Sequence, residues 1–369
     1  MSDQLPLDQV IQGDCRQVLA DLPANSVDLI FADPPYNLQL NSDLWRPNQT
    51  QVNGVDDDWD AFDSLAAYDA FTQAWLTACR RVLKDDGALW VIGTYHNIYR
   101  VGAMLQDLGF WILNDILWIK TNPMPNFRGV RLTNAHETLL WVTKRQGAAY
   151  TFNYHALKRL NGGKQMRSDW RLPICSGAER VRIDGEKAHS TQKPEALLYR
   201  VLLAASDPGD VVLDPFFGTG TTGVVAKRLH RRWIGIEREA SYVKIAQRRL
   251  DAIQPGPMQA EIFDVRDARR RQARLPFARL LELGLVAPGQ ALFFEGQVGV
   301  EARVKPDGQL LVNGFEGSIH QAGRHLTGGK PCNGWTSWHY RSSSGDLRPI
   351  DGLRQRARGL LAEAGDPGT

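Results

Sequence analysis

The sequence predicts an α/β fold with a mostly parallel sheet, helices on both faces and a smaller α+β module behind it. Three observations carry this. Strand-like and helix-like segments alternate through residues 10–253, the pattern of a parallel sheet covered on both sides. Two short β-compatible runs, residues 27–32 and 211–213, each stop at Asp-Pro, as strands do at the carboxyl edge of such a sheet. Gln254-Pro255-Gly256-Pro257 then breaks the alternation, and shorter strands with glycine turns follow.

In chain order, Val10, Ile11 and Gln12 form a strand that enters Gly13 and Asp14, and a short helix runs over residues 18–22. Residues 27–32 are an interior strand. Residues 65–83 have helical spacing and end before the Asp86-Gly87 turn, and 88–92 read as the next strand. A helix over 97–108 is stopped by Gly109, and strands follow at 111–119 and 138–143. After a polar, irregular region come a helix over 194–205, the strand from Val211, a glycine loop, a helix over 221–229, the strand at Trp233 and a helix over 240–253. The first domain is therefore set at residues 1–258, with a basic linker over 259–275 and a second domain over 276–369. Within the second, a helix near 277–283, strands at 291–295, 298–304 and 309–312, and a helix opened by Ser318, Ile319 and His320 are expected.

A chain of 369 residues with 43% hydrophobic content has material for two such cores. No apolar stretch approaches the roughly 18 residues of a membrane helix. The first nine residues are polar and acidic, unlike a signal peptide, so a cytoplasmic protein is expected. Cys15, Cys79, Cys175 and Cys332 are far apart, which supports neither a zinc site nor a disulfide framework. The formal charge is only +3, but residues 262–369 hold 15 Lys and Arg against 11 Asp and Glu, while the remainder holds 29 against 30. Arg266, Arg269, Arg270, Arg271 and Arg274 cluster around Asp267, either as phosphate contacts or as a solvated helix face.

Chemistry concentrates at Asp33, Pro34, Pro35 and Tyr36. Two prolines fix φ and hold the preceding residue extended, so the Asp33 carboxylate and the Pro34 carbonyl present two preorganised acceptors. An exocyclic amine has two N–H donors to match. Tyr36 is placed to cover one face of the ring that carries the amine, as enzymes acting on an extruded base require. The plain alternative is a strand-to-loop turn.

A second corner, residues 214–223, reads Asp-Pro-Phe-Phe-Gly-Thr-Gly-Thr-Thr-Gly. Gly218 and Gly220 let the backbone turn tightly against a ligand at the start of a helix. About twenty residues on, Glu237 ends a strand where it can accept from both hydroxyls of a ribose, so this is a nucleoside site. Gly218, Gly220 and Gly223 also satisfy the dinucleotide fingerprint. The preceding Asp214-Pro215-Phe216 and the lack of a hydride-transfer site argue against a dehydrogenase.

Together the two corners resemble the amino-methyltransferases of DNA. The catalytic corner precedes the cofactor loop, the order of the permuted beta class. Asn37-Leu38-Gln39-Leu40, Trp118-Ile119-Lys120, Asn122 to Phe127, Asn134-Ala135-His136-Glu137-Thr138 and Thr191-Gln192-Lys193-Pro194-Glu195 are similar to blocks of that family, in its order. With the tail, the chain resembles the cell-cycle-regulated, CcrM-like adenine methyltransferases.

The resemblance implies a Rossmann-like fold with a seven-stranded sheet, S-adenosylmethionine as cofactor, double-stranded DNA as partner, GANTC as the site, a homodimer and a location on the nucleoid. It implies that Asp33 to Tyr36 are catalytic. It also implies that Asp14, Thr191, Lys193, Asp214, Phe216, Gly218, Gly220, Thr221 and Glu237 bind the cofactor, with Thr191 and Lys193 at its methionine end. In this reading the flipped adenine's nitrogen attacks the methyl carbon in line, with Asp33 favouring the charge that develops on nitrogen. Cytosine N4 methylation uses the same chemistry, but the family associates Asp at the first position with adenine and Ser with cytosine. An RNA or protein-amide substrate also fits an amine pocket, and the basic, aromatic tail favours DNA.

DNA contacts are expected from three places. The loop at 37–63, with Leu38, Trp45 and Arg46, closes over the base, meets a second subunit or is disordered without DNA. Phe127, Arg128 and Arg131 edge the active site. In the tail, Ser318, His320, Asn333 and Trp335 are assigned to recognition, because Asn can read an adenine edge and exposed Trp can stack on unpaired bases.

Overall fold

The sheet of the N-terminal unit opens with β1 (Gln9–Gln12) and α1 (Cys15–Asp21), whose first turn is capped by the Asp14 carboxylate accepting from the Arg16 N–H at 2.8 Å. The run Val27–Ala32 is β2, and alternate side chains enter opposite layers: Leu29 and Phe31 join one buried cluster, Ile30 and Ala32 the other. β3 (Leu44–Trp45) and β4 (Gln51–Val52) pair antiparallel. α2 (Leu65–Val82) starts at Ser64, whose hydroxyl accepts from the Ala67 N–H at 3.1 Å, and buries Tyr68, Trp75, Leu76, Cys79 and Val82 along one face. Next come β5 (Leu83–Gly93), α3 (Ile98–Asp107), β6 (Trp111–Lys120) and β7 (His136–Thr143). The region read as irregular contains α4 (Tyr154–Leu160), β8 (Asp169–Leu172) and the two-residue strands β9 (Arg182–Ile183) and β10 (Glu186–Lys187). α5 (Glu195–Ala205), β11 (Val211–Asp214), α6 (Thr221–Arg228), β12 (Arg232–Glu237), α7 (Ala240–Asp251) and the single-turn α8 (Ala260–Phe263) complete the unit.

This computed structural model describes residues 5–37, 44–45, 51–52, 60–126, 129–183, 185–188, 191–265 and 275–363. The chain divides into two units, Met1–Arg266 and Asp267–Thr369. Among the described residues, no helix is long and apolar enough to cross a membrane.

The main sheet has eight strands in the order β1-β12-β11-β2-β5-β7-β6-β8, one more than expected. The added strand is β8, which pairs parallel to β6 and sets Trp170 beside Trp118. Only β7 runs against its neighbours; the other pairings are parallel. The Asp86-Gly87 turn is part of β5 rather than a break before it. The register to β2 jumps from Val27↔Leu83 to Leu29↔Ala88, so residues 84–87 bulge without ending the strand.

One pairing positions the site. β11 lies directly beside β2, with Leu213 opposite Ile30. Crossovers from β2 proceed toward β5 and those from β11 toward β12, so the order reverses between β2 and β11. Ligands bind outside the carboxyl ends of strands at such a point.

The second unit begins with α9 (Ala278–Glu282) and carries β13 (Ala291–Phe294), β14 (Glu301–Val304), β15 (Leu310–Val312) and β16 (Phe315–Gly317). α10 (Ile319–Leu326), α11 (Gly334–Ser337), β17 (Trp338–Arg341), β18 (Leu347–Pro349) and α12 (Asp351–Glu363) follow. Its strands form an antiparallel sheet in the order β16-β15-β14-β13-β17-β18. Leu280, Leu292, Ala302, Leu310, Trp338 and Ile350 form the centre of its own core. The strand expected from Val298 starts only at Glu301, because Glu295 and Gly296 both take positive φ and turn the chain first.

Candidate active site

The strand β2 delivers Asp33 to Tyr36 to the carboxyl edge, and three buried groups fix the corner. The Asp60 carboxylate accepts from the N–H groups of Tyr36 at 2.5 Å and Asn37 at 2.8 Å. The Tyr68 hydroxyl donates to the Pro35 carbonyl at 3.0 Å and accepts from the Asn97 amide at 3.2 Å. Prolines leave backbone acceptors but no donors, so side chains must supply the donors. Asp60, Tyr68 and Asn97 carry no motif, and no sequence signal singles them out.

Asp33 is enclosed in charge. Its Oδ2 lies 2.8 Å from Lys193 Nζ, and its Oδ1 accepts from the Tyr36 hydroxyl at 2.8 Å. That hydroxyl also reaches Glu137 Oε2 at 3.1 Å, and Glu137 Oε1 pairs with Lys120 Nζ at 2.9 Å. Burial raises the Asp33 carboxyl above the usual carboxylate range, against the pull of Lys193. Glu137 is held below that range: burial pushes it up, but Lys193 and Lys120 outweigh burial. Two carboxylates and two ammonium groups balance one another at the edge of the sheet.

On the adjacent strand, Asp214 ends β11 and is only 3% exposed. It accepts from the Phe216 N–H at 2.9 Å and the Thr222 hydroxyl at 2.5 Å, and burial pushes its carboxyl up to about 7. Its contacts tie the loop to α6. Gly220, at φ 80°, opens α6 in the left-handed region that glycine tolerates. Phe217 lies flat on Trp233, with ring centroids 5.5 Å apart, and its ring takes the space a side chain at Gly235 would need. Glu237 ends β12, and its two oxygens accept from the N–H groups of Gly218 at 2.7 Å and Glu239 at 2.8 Å. Burial raises its carboxyl, opposed by those same N–H groups. Each oxygen keeps a second lone pair for a ligand hydroxyl.

Both corners open into one cavity of about 580 Å³. Asp14, Asp33 to Tyr36, Thr191, Lys193, Asp214, Phe216, Gly218, Thr221 and Glu237 all line it. Asp14 was expected to bind the cofactor; in the structure its carboxylate also accepts from the Arg16 guanidinium at 3.0 Å and 2.6 Å. A side-chain acid at the end of β12, a tight turn that lines the cavity through Gly218 and Thr219 and a site of this size fit a nucleoside cofactor; Gly220 shapes the turn from behind, against Ala246 and Phe217, rather than lining the cavity.

Residues 27–248 match the DNA methylase family. The chain belongs to that family. The methylase is 46% identical over 349 residues to the Type II methyltransferase M.HinfI of Haemophilus influenzae, spanning 94% of this chain and 96% of the relative. It is 43% identical over 244 residues to the Type II methyltransferase M2.DpnII of Streptococcus pneumoniae, over 66% of this chain and 89% of the relative. Residues 263–361 match the family described as Restriction Enzyme Adenine Methylase Associated. Among solved structures, the M1.HpyAVI–SAM complex superposes with a TM-score of 0.50 at 27% identity, covering 66% of the methylase and 98% of that chain. The PvuII DNA methyltransferase, cytosine-N4-specific, shares the fold with a TM-score of 0.51 at 21% identity over 69% and 90% of the two chains. The methylase is thus an adenine-specific DNA methyltransferase that uses S-adenosylmethionine.

A second cavity of the methylase, about 430 Å³, lies on the other side of Lys193. Trp118, Met124 and Ile174 give it apolar walls, and Lys120, Arg180, Arg182 and Lys187 make it basic. Thr191, Gln192 and Lys193 line both cavities.

The DNA-contact expectations divide. Leu38, Arg46, Phe127 and Arg128 lie outside the described residues, as do Arg266, Arg269, Arg270, Arg271 and Arg274. Trp45 is placed only as a backbone position of β3. Arg131 is exposed and donates to the Tyr95 hydroxyl at 3.0 Å. Ser318 closes a capping box on α10, Asn333 caps α11 by accepting from the Trp335 N–H at 3.2 Å, and His320 Nδ1 accepts from the Gly334 N–H at 3.0 Å. All three are exposed. Trp335 corrects the expectation: it is 7% exposed, packed edge-on to Phe277 and beneath the Arg354 guanidinium. At 7% exposure and within the unit's core cluster, the ring is not presented as a platform for a base.

Proposed function

We propose that the methylase transfers a methyl group to N6 of adenine within GANTC in double-stranded DNA, acting on a base flipped out of the helix. The observation that carries this reading is the shared cavity, in which the acceptors of the Asp33 corner and the glycine turn after β11 face the same space. S-adenosylmethionine supplies an electrophilic methyl on a sulfonium when bound. Glu237 would take its ribose hydroxyls, the Gly218–Gly220 turn its flank, and Thr191 and Lys193 its methionine end.

Asp33 and the Pro34 carbonyl would accept hydrogen bonds from the two amine N–H groups, drawing the nitrogen lone pair out of conjugation and toward the methyl carbon; the electron pair of the broken methyl–sulfur bond would stay on sulfur, and the surplus proton of the methylated nitrogen would pass to solvent. Positive charge that develops on that nitrogen is favoured beside a carboxylate, and alignment supplies much of the remaining acceleration. No covalent enzyme intermediate is needed. The basic cavity suits the phosphates that flank an extruded nucleotide. GANTC, a homodimer, a cell-cycle role and a place on the nucleoid rest on the resemblance to the cell-cycle-regulated subgroup. The 46% identity to M.HinfI over nearly the whole chain is consistent with a close relationship to Type II methyltransferases.

The test is incubation of the full chain with labelled cofactor and duplex DNA of random sequence, digestion to nucleosides and mapping of the product. N6-methyladenine confined to GANTC is expected. N4-methylcytosine, or N6-methyladenine spread over unrelated sequences, overturns the reading at the base or at the site respectively.

A further inference from the structure

A wall separates the two cavities, and it is made of hydrogen bonds. Asp33 and Tyr36 line the cofactor cavity, Glu137 lines the basic one and Lys193 lines both. The Tyr36 hydroxyl crosses between them, 2.8 Å from Asp33 and 3.1 Å from Glu137. A hydroxyl has one proton, so it serves one of these carboxylates fully at a time.

Asp33 is engaged at both oxygens: Tyr36 donates to Oδ1 and Lys193 lies on Oδ2, which leaves each oxygen one lone pair. An amine that bonds Asp33 shares one of these oxygens and competes with the donor already on it. Lys193 is the costlier to move, because a buried charge would lose its nearer partner, Asp33 at 2.8 Å, and keep only Glu137 at 3.8 Å. Tyr36 has a second acceptor already in reach. Glu137 is 8% exposed, fixed by Lys120 at 2.9 Å, and 3.8 Å from Lys193.

We propose that Glu137, backed by Lys120, is a positioning residue for methyl transfer: it takes the Tyr36 hydroxyl from Asp33 when the target amine arrives, so that the wall opens without stranding a buried polar group. This rests on the amine-methylation reading above and adds to it a role for two residues outside the catalytic corner. Tyr36 closes Asp33 at rest and turns from it during the reaction. The groups facing Asp33 are Lys193 from the segment before α5, Tyr36 from its own corner, Glu137 from β7 and Asp214 from β11, with Lys120 of β6 behind Glu137.

The experiment is single-turnover methylation of a duplex by the full chain across pH, with cofactor affinity measured in parallel, for Glu137→Gln, Lys120→Gln, Tyr36→Phe and the Glu137→Gln/Tyr36→Phe pair. Glu137→Gln is expected to slow transfer about 100-fold, the scale of a small misplacement at the reacting atoms, with cofactor affinity within about twofold. It removes a negative charge near Asp33, so the acid limb of the pH profile moves down. Lys120→Gln removes a positive charge and moves that limb up; a merely structural defect shifts neither in this paired way. In the Tyr36→Phe background there is no hydroxyl to hand over, so adding Glu137→Gln costs less than about threefold. Independent, multiplying effects of Glu137→Gln and Tyr36→Phe, or limbs that move the same way, overturn the proposal while N6-methyladenine from the natural chain keeps the functional reading. Absence of N6-methyladenine from the natural chain overturns both.

Discussion

Lys193 Nζ stands 2.8 Å from Asp33 Oδ2, and both groups belong to the edge of the same buried cavity. Burial drives the Asp33 carboxyl up, and Lys193 is the first influence holding it down. Lys193→Met therefore raises the Asp33 pKa further, and the fraction of ionised Asp33 at neutral pH falls. The turnover number should drop steeply at pH 7 and recover in part toward pH 9, with the acid limb displaced upward. A profile reduced by one factor at all pH values would assign Lys193 to the cofactor alone.

Glu237 makes a separable prediction. Its two oxygens are aimed by the Gly218 and Glu239 N–H groups, which holds the carboxylate in place before any ligand arrives. Glu237→Gln leaves one acceptor and turns an amide donor against an N–H. Cofactor affinity should fall about 10- to 100-fold, from the roughly 1.5–3 kcal/mol of a hydrogen bond to a charged group, with little change in turnover at saturating cofactor. Because burial raises the Glu237 carboxyl, affinity in the natural chain should weaken as pH falls through that raised value, and titration calorimetry reads both effects.

The cofactor loop depends on a glycine that touches no ligand. A Cβ at Gly235 would fall 2.4 Å from the Phe217 ring, which is pinned between Gly235, Gly223 and Trp233. Phe217 cannot retreat, since its N–H donates to the Ile236 carbonyl at 2.9 Å. Gly235→Ala should destabilise the fold by about 1–3 kcal/mol, as overpacking does, and weaken cofactor binding because the loop moves with Phe217. Thermal unfolding with and without cofactor distinguishes the two contributions.

The legible parts of this chain were those with local signals. Asp33 to Tyr36 and residues 214–223 announce themselves because proline and glycine restrict or free the backbone at fixed offsets, and the strands before them are continuous apolar runs. β8 was not legible: Asp169-Trp170-Arg171-Leu172 is four residues long, buries only alternate side chains and is fixed as a strand by pairing with β6. Glu137 and Lys120 stood in recognised blocks, but their ion pair exists only because β7 runs antiparallel and starts where β6 ends. Asp60 lies far along the chain from the turn it caps, so no spacing rule connects them.

Trp335 shows where an aromatic residue misleads, and it makes the last prediction. Beside Asn333 and Gly334 it read as a stacking platform, yet Phe277 meets one side of the ring and Arg354 covers it at 4.7 Å. Because it is core, Trp335→Ala should cost about 3–5 kcal/mol and melt the second unit, whereas Trp335→Phe keeps most of the packing. DNA affinity should then follow folding: lost in the alanine variant in step with an early unfolding transition, and retained in phenylalanine. A stacking residue predicts otherwise, because truncation of an exposed ring removes about 1–3 kcal/mol of base contact while leaving the melting curve in place. Circular-dichroism melts paired with DNA titrations of the full chain decide between the two, since only the packed ring couples the losses.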